Sequence, residues 1–149
     1  MNICLIGNNL TSLFVSKILI NNGAKIELLS SKDYKYHLSN RTIGITKSNI
    51  DFINNNICSL KKLNFEKISK IKIYSDNKKE ILDFHDRDFL FSVFESKSLY
   101  NLLINLLKKN KNFVLKNINK NLLETNFEKK SKYDLIINCE KNNHLNKKY

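Results

Sequence analysis

The stretch Asn2 to Leu29, NICLIGNNLTSLFVSKILINNGAKIELL, constrains the fold more than any other part of the chain. Asn2 to Ile6 is a short, mostly apolar run, the pattern of a buried strand. Leu10, Leu13, Phe14 and Ile18 then recur at helical spacing, which predicts a helix to about Asn22. Gly23 ends it, as a glycine just past a helix does. Lys25 to Leu29 reads as a second strand. Strand, turn, helix, glycine and strand within roughly 30 residues is a βαβ unit with parallel strands.

The remainder extends this unit. Ser30 to Thr46 has no clear period and is expected to be a loop. Ser48 is placed to cap a short helix through Ile53. Ile68 to Tyr74 alternates, with Ile71 and Ile73 on one side and Lys70, Lys72 and Tyr74 on the other, as in a half-buried strand. Asp76-Asn77 supplies a turn, and Glu80 to Phe84 returns as its hairpin partner. Phe89 to Glu95 is a further apolar run. Leu99, Leu102, Leu103, Leu106 and Leu107 form the strongest helical stripe, with Ser96 or Ser98 as its cap. Phe113 to Leu115 and Tyr133 to Cys139 complete the strands. The expectation is an α/β fold, Rossmann-like, with a parallel sheet and an inserted antiparallel piece, in a single domain over residues 1–149.

A turn from a parallel strand into a helix is where a dinucleotide's pyrophosphate binds, because free N–H groups and the helix dipole face it. The glycine-rich form of that turn has three glycines. Here the six positions are Gly7, Asn8, Asn9, Leu10, Thr11 and Ser12. The first glycine stands, Asn9 replaces the second and Ser12 the third. Ser12 is small enough for close packing. Asn9 tolerates unusual backbone angles but narrows the space for phosphate. The ribose-binding acid belongs at the end of the second strand. Ser30 holds that place, while Glu27 falls three residues early. These residues alone leave a nucleotide turn and a purely structural βαβ unit both open.

The chain carries 26 Lys and Arg against 14 Asp and Glu, a formal charge of +12, but its only arginines are Arg41 and Arg87. The lysines are scattered, and nucleic-acid faces favour Arg and basic clusters interleaved with aromatics. No specific nucleic-acid partner is therefore expected. Cys4, Cys58 and Cys139 form no CxxC, and their odd number is no disulfide framework, which points to a reducing compartment. No basic region precedes the first apolar stretch, so no signal peptide is expected. His85 stands among Asp83, Asp86 and Asp88, but an extended segment turns these side chains to opposite faces, so no metal site is expected. His37 and His144 are isolated. No P-loop, nucleophile elbow or catalytic triad is present, and no catalytic residue is assigned.

Four stretches in order carry a family likeness. They are CLIGNNLTSLFVSKILINNGAKIELLS, RTIGITKSNIDFI, KIKIYSDN and FLFSVFESKSLYNLLINLL. Together the chain resembles the N-terminal half of FAD-dependent aromatic hydroxylases related to p-hydroxybenzoate hydroxylase, in particular those acting on ubiquinone precursors. The resemblance implies an FAD-binding portion of a monooxygenase, with NAD(P)H as reductant. It implies that Gly7, Asn9, Leu10, Thr11 and Ser12 hold the pyrophosphate, that Ser30 meets the ribose and that Arg41 lies near the flavin. Glu95 falls on the acid that ends a strand in that family. After Asp134 to Ile137, where the family has Gly-Ala-Asp-Gly, this chain has Asn138, Cys139, Glu140 and Lys141. Only the acid type survives, as Glu140, and since the family's turn touches the flavin, the resemblance implies that Glu140 is a cofactor-binding residue. The family's second half, with most of its substrate sheet, is absent, so the chain is expected to be incomplete as a catalyst. The resemblance further implies a cytoplasmic protein, a complex with related biosynthetic hydroxylases, and peripheral contact with the inner face of the membrane. The alternative is a diverged, non-catalytic remnant that serves as a protein-interaction module.

Overall fold

The computed structural model describes residues 1–31, 41–118 and 132–140. Their contacts gather into two compact units, one built from Met1–His37 with Tyr100–Tyr149 and the other from Leu38–Leu99.

The first unit is a four-stranded, all-parallel sheet. Its strands are β1 (Asn2–Ile6), β2 (Lys25–Ser31), β8 (Phe113–Ile118) and β9 (Leu135–Asn138), in the order β8-β2-β1-β9. In register, Ile3 lies between Ile26 and Leu135, and Cys4 between Glu27 and Ile136. The inner strand β1 buries Ile3, Cys4, Leu5 and Ile6 completely, as a strand covered on both faces must. Helix α1 (Leu10–Asn21) packs on β1 and β2. It buries Leu13 and Ile20 together with the small Ser12 and Ser16, one turn apart, which let the helix approach the sheet closely. Its end is set by Gly23 at φ +85°, a left-handed conformation that favours glycine. There Gly23 N–H donates to the Ile20 carbonyl at 2.9 Å and Ala24 N–H to that of Leu19 at 3.0 Å. The α/β class with a parallel sheet and an antiparallel insertion is thus the fold of this chain.

The second unit holds the antiparallel part. Strand β3 (Thr42–Thr46) and strand β4 (Phe65–Ile68) flank β7 (Phe91–Glu95), and β5 (Lys70–Tyr74) pairs with β6 (Glu80–His85) as a separate hairpin. Helix α2 (Lys47–Asn56) buries Ile50 and Ile53, and Phe94 stacks at a tilt on Phe65 with ring centroids 5.0 Å apart. Helix α3 (Ser96–Lys108) continues from β7 and enters the first unit at Tyr100.

Several expectations need correction. Residues Thr42–Thr46 are strand β3, paired along its length with β7, and not loop. The cap of α2 is Thr46, whose hydroxyl accepts from the Asn49 amide, and not Ser48. The strand expected over Ile68 to Tyr74 is broken at Ser69, so β4 and β5 join different sheets. The hairpin is more exposed than a half-buried strand: Ile73, Leu82 and Phe84 all stand open. On α3 the buried stripe is Leu99, Leu103 and Leu107 with Ile104, whereas Leu106 faces out. Among the described residues no helix is long and apolar enough to cross a membrane, and no group of His, Cys, Asp and Glu could hold a metal ion. His37 and His144 lie outside the described residues.

Candidate functional site

The turn between β1 and α1 stands at the carboxyl ends of the parallel strands, the edge where open α/β sheets bind their ligands. Gly7 has φ +102°, so the turn needs a residue without Cβ strain. Its N–H donates to the Leu29 carbonyl at 2.9 Å, which ties the turn to the end of β2. A methyl group at this position would lie 2.5 Å from Glu140 Cγ. The side chain of Glu140 therefore lies directly over the glycine.

Asn9 is the N-cap of α1, with extended backbone at φ −131° and ψ 175°. Its Oδ1 accepts from the Ser12 amide at 3.0 Å, and Ser12 Oγ accepts from the Asn9 amide at 3.0 Å. This reciprocal box satisfies two donors that a helix N-terminus otherwise leaves open. Asn9 Nδ2 donates in addition to the Cys139 carbonyl at 2.8 Å, and Cys139 N–H donates to Ile6 O at 2.9 Å. The segment after β9 is thus clamped to the turn after β1. The amides of Leu10 and Thr11, at the first two helical positions, have no partner within the helix.

Ser30, near the end of β2, is only 2 % exposed. Arg41 precedes β3 in the second unit; it is exposed, and its carbonyl accepts from the Ser96 amide at 2.9 Å. In the first unit the structure brings Gly7, Asn9, Ser12 and Glu140 together. It adds one residue that the sequence reading missed. The Tyr100 hydroxyl donates to Asn8 Oδ1 at 2.9 Å, so α3 braces the turn from a distance of 92 positions. Tyr100 falls outside the Leu99, Leu102, Leu103, Leu106 and Leu107 stripe, so no local pattern marks it.

A second polar cluster sits lower on the same sheet. Glu27 Oε1 receives Tyr133 Oη at 2.7 Å and lies 3.0 Å from Lys116 Nζ, while Oε2 receives Lys132 Nζ at 2.7 Å. Burial pushes the Glu27 carboxyl up, but the hydrogen bonds from Lys132, Tyr133 and Lys116 outweigh it and leave it below its ordinary value. Burial and the bond to Glu27 push the Tyr133 hydroxyl up to about 12. Burial, with Glu27 beside it, pushes the Cys4 thiol to about 12 as well, so this cysteine is an inert core residue. The cluster borders an open cavity of about 240 Å³ at the start of the strands, the edge opposite the Gly7 turn.

No protein-family model and no curated protein sequence matches the chain. Solved structures do match. The p-nitrophenol 4-monooxygenase PnpA of Pseudomonas putida superposes with a TM-score of 0.60 at 14% identity, over 76% of this chain and 31% of PnpA. PqsL of Pseudomonas aeruginosa, solved with 2-aminobenzoylacetate, superposes with a TM-score of 0.64 at 11% identity, over 77% of this chain and 32% of PqsL. A further structure of PqsL describes it as a probable FAD-dependent monooxygenase. The 2,6-dihydroxypyridine-3-hydroxylase of Arthrobacter nicotinovorans superposes with a TM-score of 0.54 at 10% identity, over 76% of this chain and 28% of that enzyme. The chain thus spans about a third of the length of these monooxygenases and shares the fold of that part.

Proposed function

We propose that this chain is the FAD-binding portion of a flavin-dependent monooxygenase that hydroxylates an aromatic ring, of the ubiquinone-precursor type. The observation that carries the proposal is the Gly7 turn. A positive-φ glycine joins a buried parallel strand to an N-capped helix, in a fold shared with monooxygenases of which one is described as FAD-dependent.

The backbone of the turn fits a pyrophosphate. Gly7 makes the tight turn, and the Leu10 and Thr11 amides point along the positive end of the α1 dipole. The Asn9–Ser12 box holds those amides in place without consuming them. The resemblance assigns the ribose to Ser30, which is buried near the end of β2, and the flavin to the guanidinium of Arg41. Glu140 is the one side chain at the turn that does not fit a dianion as it stands. When bound, the flavin supplies the redox and oxygen chemistry, with NAD(P)H as the reductant. This chain's part is to bind the dinucleotide half and orient it. The family resemblance leaves the rest of the pocket, including the substrate site, to a second half, and we propose that this chain alone hydroxylates nothing. Docking to related hydroxylases and to a membrane surface is part of the same proposal.

The test is a titration of the purified chain with FAD, followed by flavin fluorescence and absorbance. Saturable binding at micromolar FAD is expected, and NAD(P)H-dependent product formation by the chain alone is not. Absence of binding at millimolar FAD overturns the proposal and leaves the non-catalytic interaction module.

A further inference from the structure

We infer that the cavity at the start of the parallel strands is a binding site for a small organic carboxylate, one with an apolar body behind its charge. This edge lies opposite the Gly7 turn, so the inference does not depend on the dinucleotide reading. Its first ground is charge. The cavity, about 240 Å³ in volume, is lined by three lysines, Lys25, Lys111 and Lys132, against one acid, Glu27. That acid is already satisfied. Its Oε1 takes Tyr133 Oη at 2.7 Å and Lys116 Nζ at 3.0 Å, and its Oε2 takes Lys132 Nζ at 2.7 Å. Lys132 is thereby committed as well. Among the described residues, the side chains of Lys25 and Lys111 have no partner. Two ammonium groups thus line one cavity with no anion of the chain to meet them, and such groups bind an external carboxylate through charge-assisted hydrogen bonds.

The second ground is that the frame is held. Lys25 N–H donates to the Met1 carbonyl at 2.9 Å, Ile26 N–H to the Asn112 carbonyl at 2.8 Å, and Asn112 N–H to Asn110 Oδ1 at 2.9 Å. The start of β2 and the turn into β8 are therefore tied together, and the cavity is formed before a ligand arrives, as small-molecule sites usually are. The third ground is apolar surface. Val114 pairs in register with Glu27 and so shares its face of the sheet, yet it is 46 % exposed. It borders the cavity together with Tyr133. Inorganic phosphate would use the lysines and leave this valine in water. An organic acid uses both, with its carboxylate at the lysines and its hydrocarbon over Val114.

The test follows amide NMR spectra of the full chain during titration with hexanoate, inorganic phosphate and hexanol at fixed salt. Saturable shifts of the Lys25, Ile26, Asn112 and Val114 amides are expected with hexanoate at about millimolar concentration. Phosphate and hexanol should each bind at least about tenfold more weakly, because each lacks one half of the contact. The double variant Lys25→Gln/Lys111→Gln should weaken hexanoate binding at least about tenfold. Lys61→Gln/Lys62→Gln, the same charge change at two exposed lysines of the second unit, should match wild type. No shift of those amides by hexanoate up to about 50 mM overturns the site. Equal affinity of wild type and Lys25→Gln/Lys111→Gln also overturns it, because the two ammonium groups then hold nothing. Phosphate or hexanol binding as tightly as hexanoate overturns the ligand class. None of these outcomes bears on FAD at the opposite edge.

Discussion

The Tyr100 hydroxyl reaches Asn8 Oδ1 at 2.9 Å, so the long helix that follows β7 is hydrogen-bonded to the middle of the turn after β1. Tyr100→Phe removes the donor and leaves the ring in place. A neutral hydrogen bond of this kind contributes about 1 kcal/mol net. The variant should melt lower by about 4 °C in a thermal scan. An unchanged melting temperature would mean that solvent replaces the tyrosine at no cost.

Gly7 and Glu140 should be energetically coupled. Gly7→Ala meets both the strain of positive φ and the Glu140 side chain, and we expect a loss of about 2–4 kcal/mol. In a Glu140→Ala background only the backbone strain remains, about 1–2 kcal/mol. Chemical denaturation of the four proteins of the cycle measures the difference. A coupling of about 1 kcal/mol or more is expected, and strict additivity would place Glu140 away from the glycine.

Asn9 performs two tasks at once, capping α1 and holding the Cys139 carbonyl. Asn9→Ala should cost about 1–2 kcal/mol from the cap alone. Asn9→Ser restores a capping oxygen but not the donor to Cys139, so its urea midpoint should fall between wild type and Asn9→Ala. If the serine variant matches wild type, the bond to Cys139 adds nothing to stability.

Acid should remove the advantage of Glu27. Its carboxyl is held below the ordinary 4.5 in the folded chain, so its contribution is complete above pH 4.5 and disappears as the pH falls through the folded value. Glu27→Gln should therefore be less stable than wild type at pH 7, by about 1–3 kcal/mol, with the gap closing below pH 4.5. Tyr133 works the other way. Its hydroxyl is raised from 10.0 to about 12, so the stability it adds is complete below pH 10 and is lost as the pH rises toward 12. Urea midpoints across pH test both limbs, and a gap that widens in acid would refute the first.

The local elements were legible in the sequence because local rules write them. The buried run of β1, the helical spacing of α1 and the glycine at 23 need only neighbours within one turn. Strand β3 was missed although Thr42-Ile-Gly-Ile-Thr alternates, because five residues with a central glycine mean little until the partner β7 is known, some fifty positions on. Asn9 was legible as a lost glycine but not as a cap, since a capping box is sought with Glu or Gln at its third position and here Ser12 plays that part. Glu140 was legible only as the surviving acid of an altered turn. Its place over Gly7 depends on β9 lying beside β1, a pairing between the two ends of the described chain. The clusters around Glu27 and Tyr100 were invisible for the same reason: each joins residues more than ninety positions apart.

The interleaving of the two units also dictates an order of assembly. Leu38–Leu99 is one continuous segment, and every strand pairing within it is complete once β7 has been made. The parallel sheet waits longer. Strands β1 and β2 are made before the second unit, yet their outer neighbours β8 and β9 come from residues beyond 112, so β1 keeps one edge unpaired until β9 is made. Such late, long-range parallel pairing is slow, and the exposed edge of a mostly apolar strand is prone to pair with the wrong chain. The middle unit should therefore already be folded while β1 is still seeking its last partner.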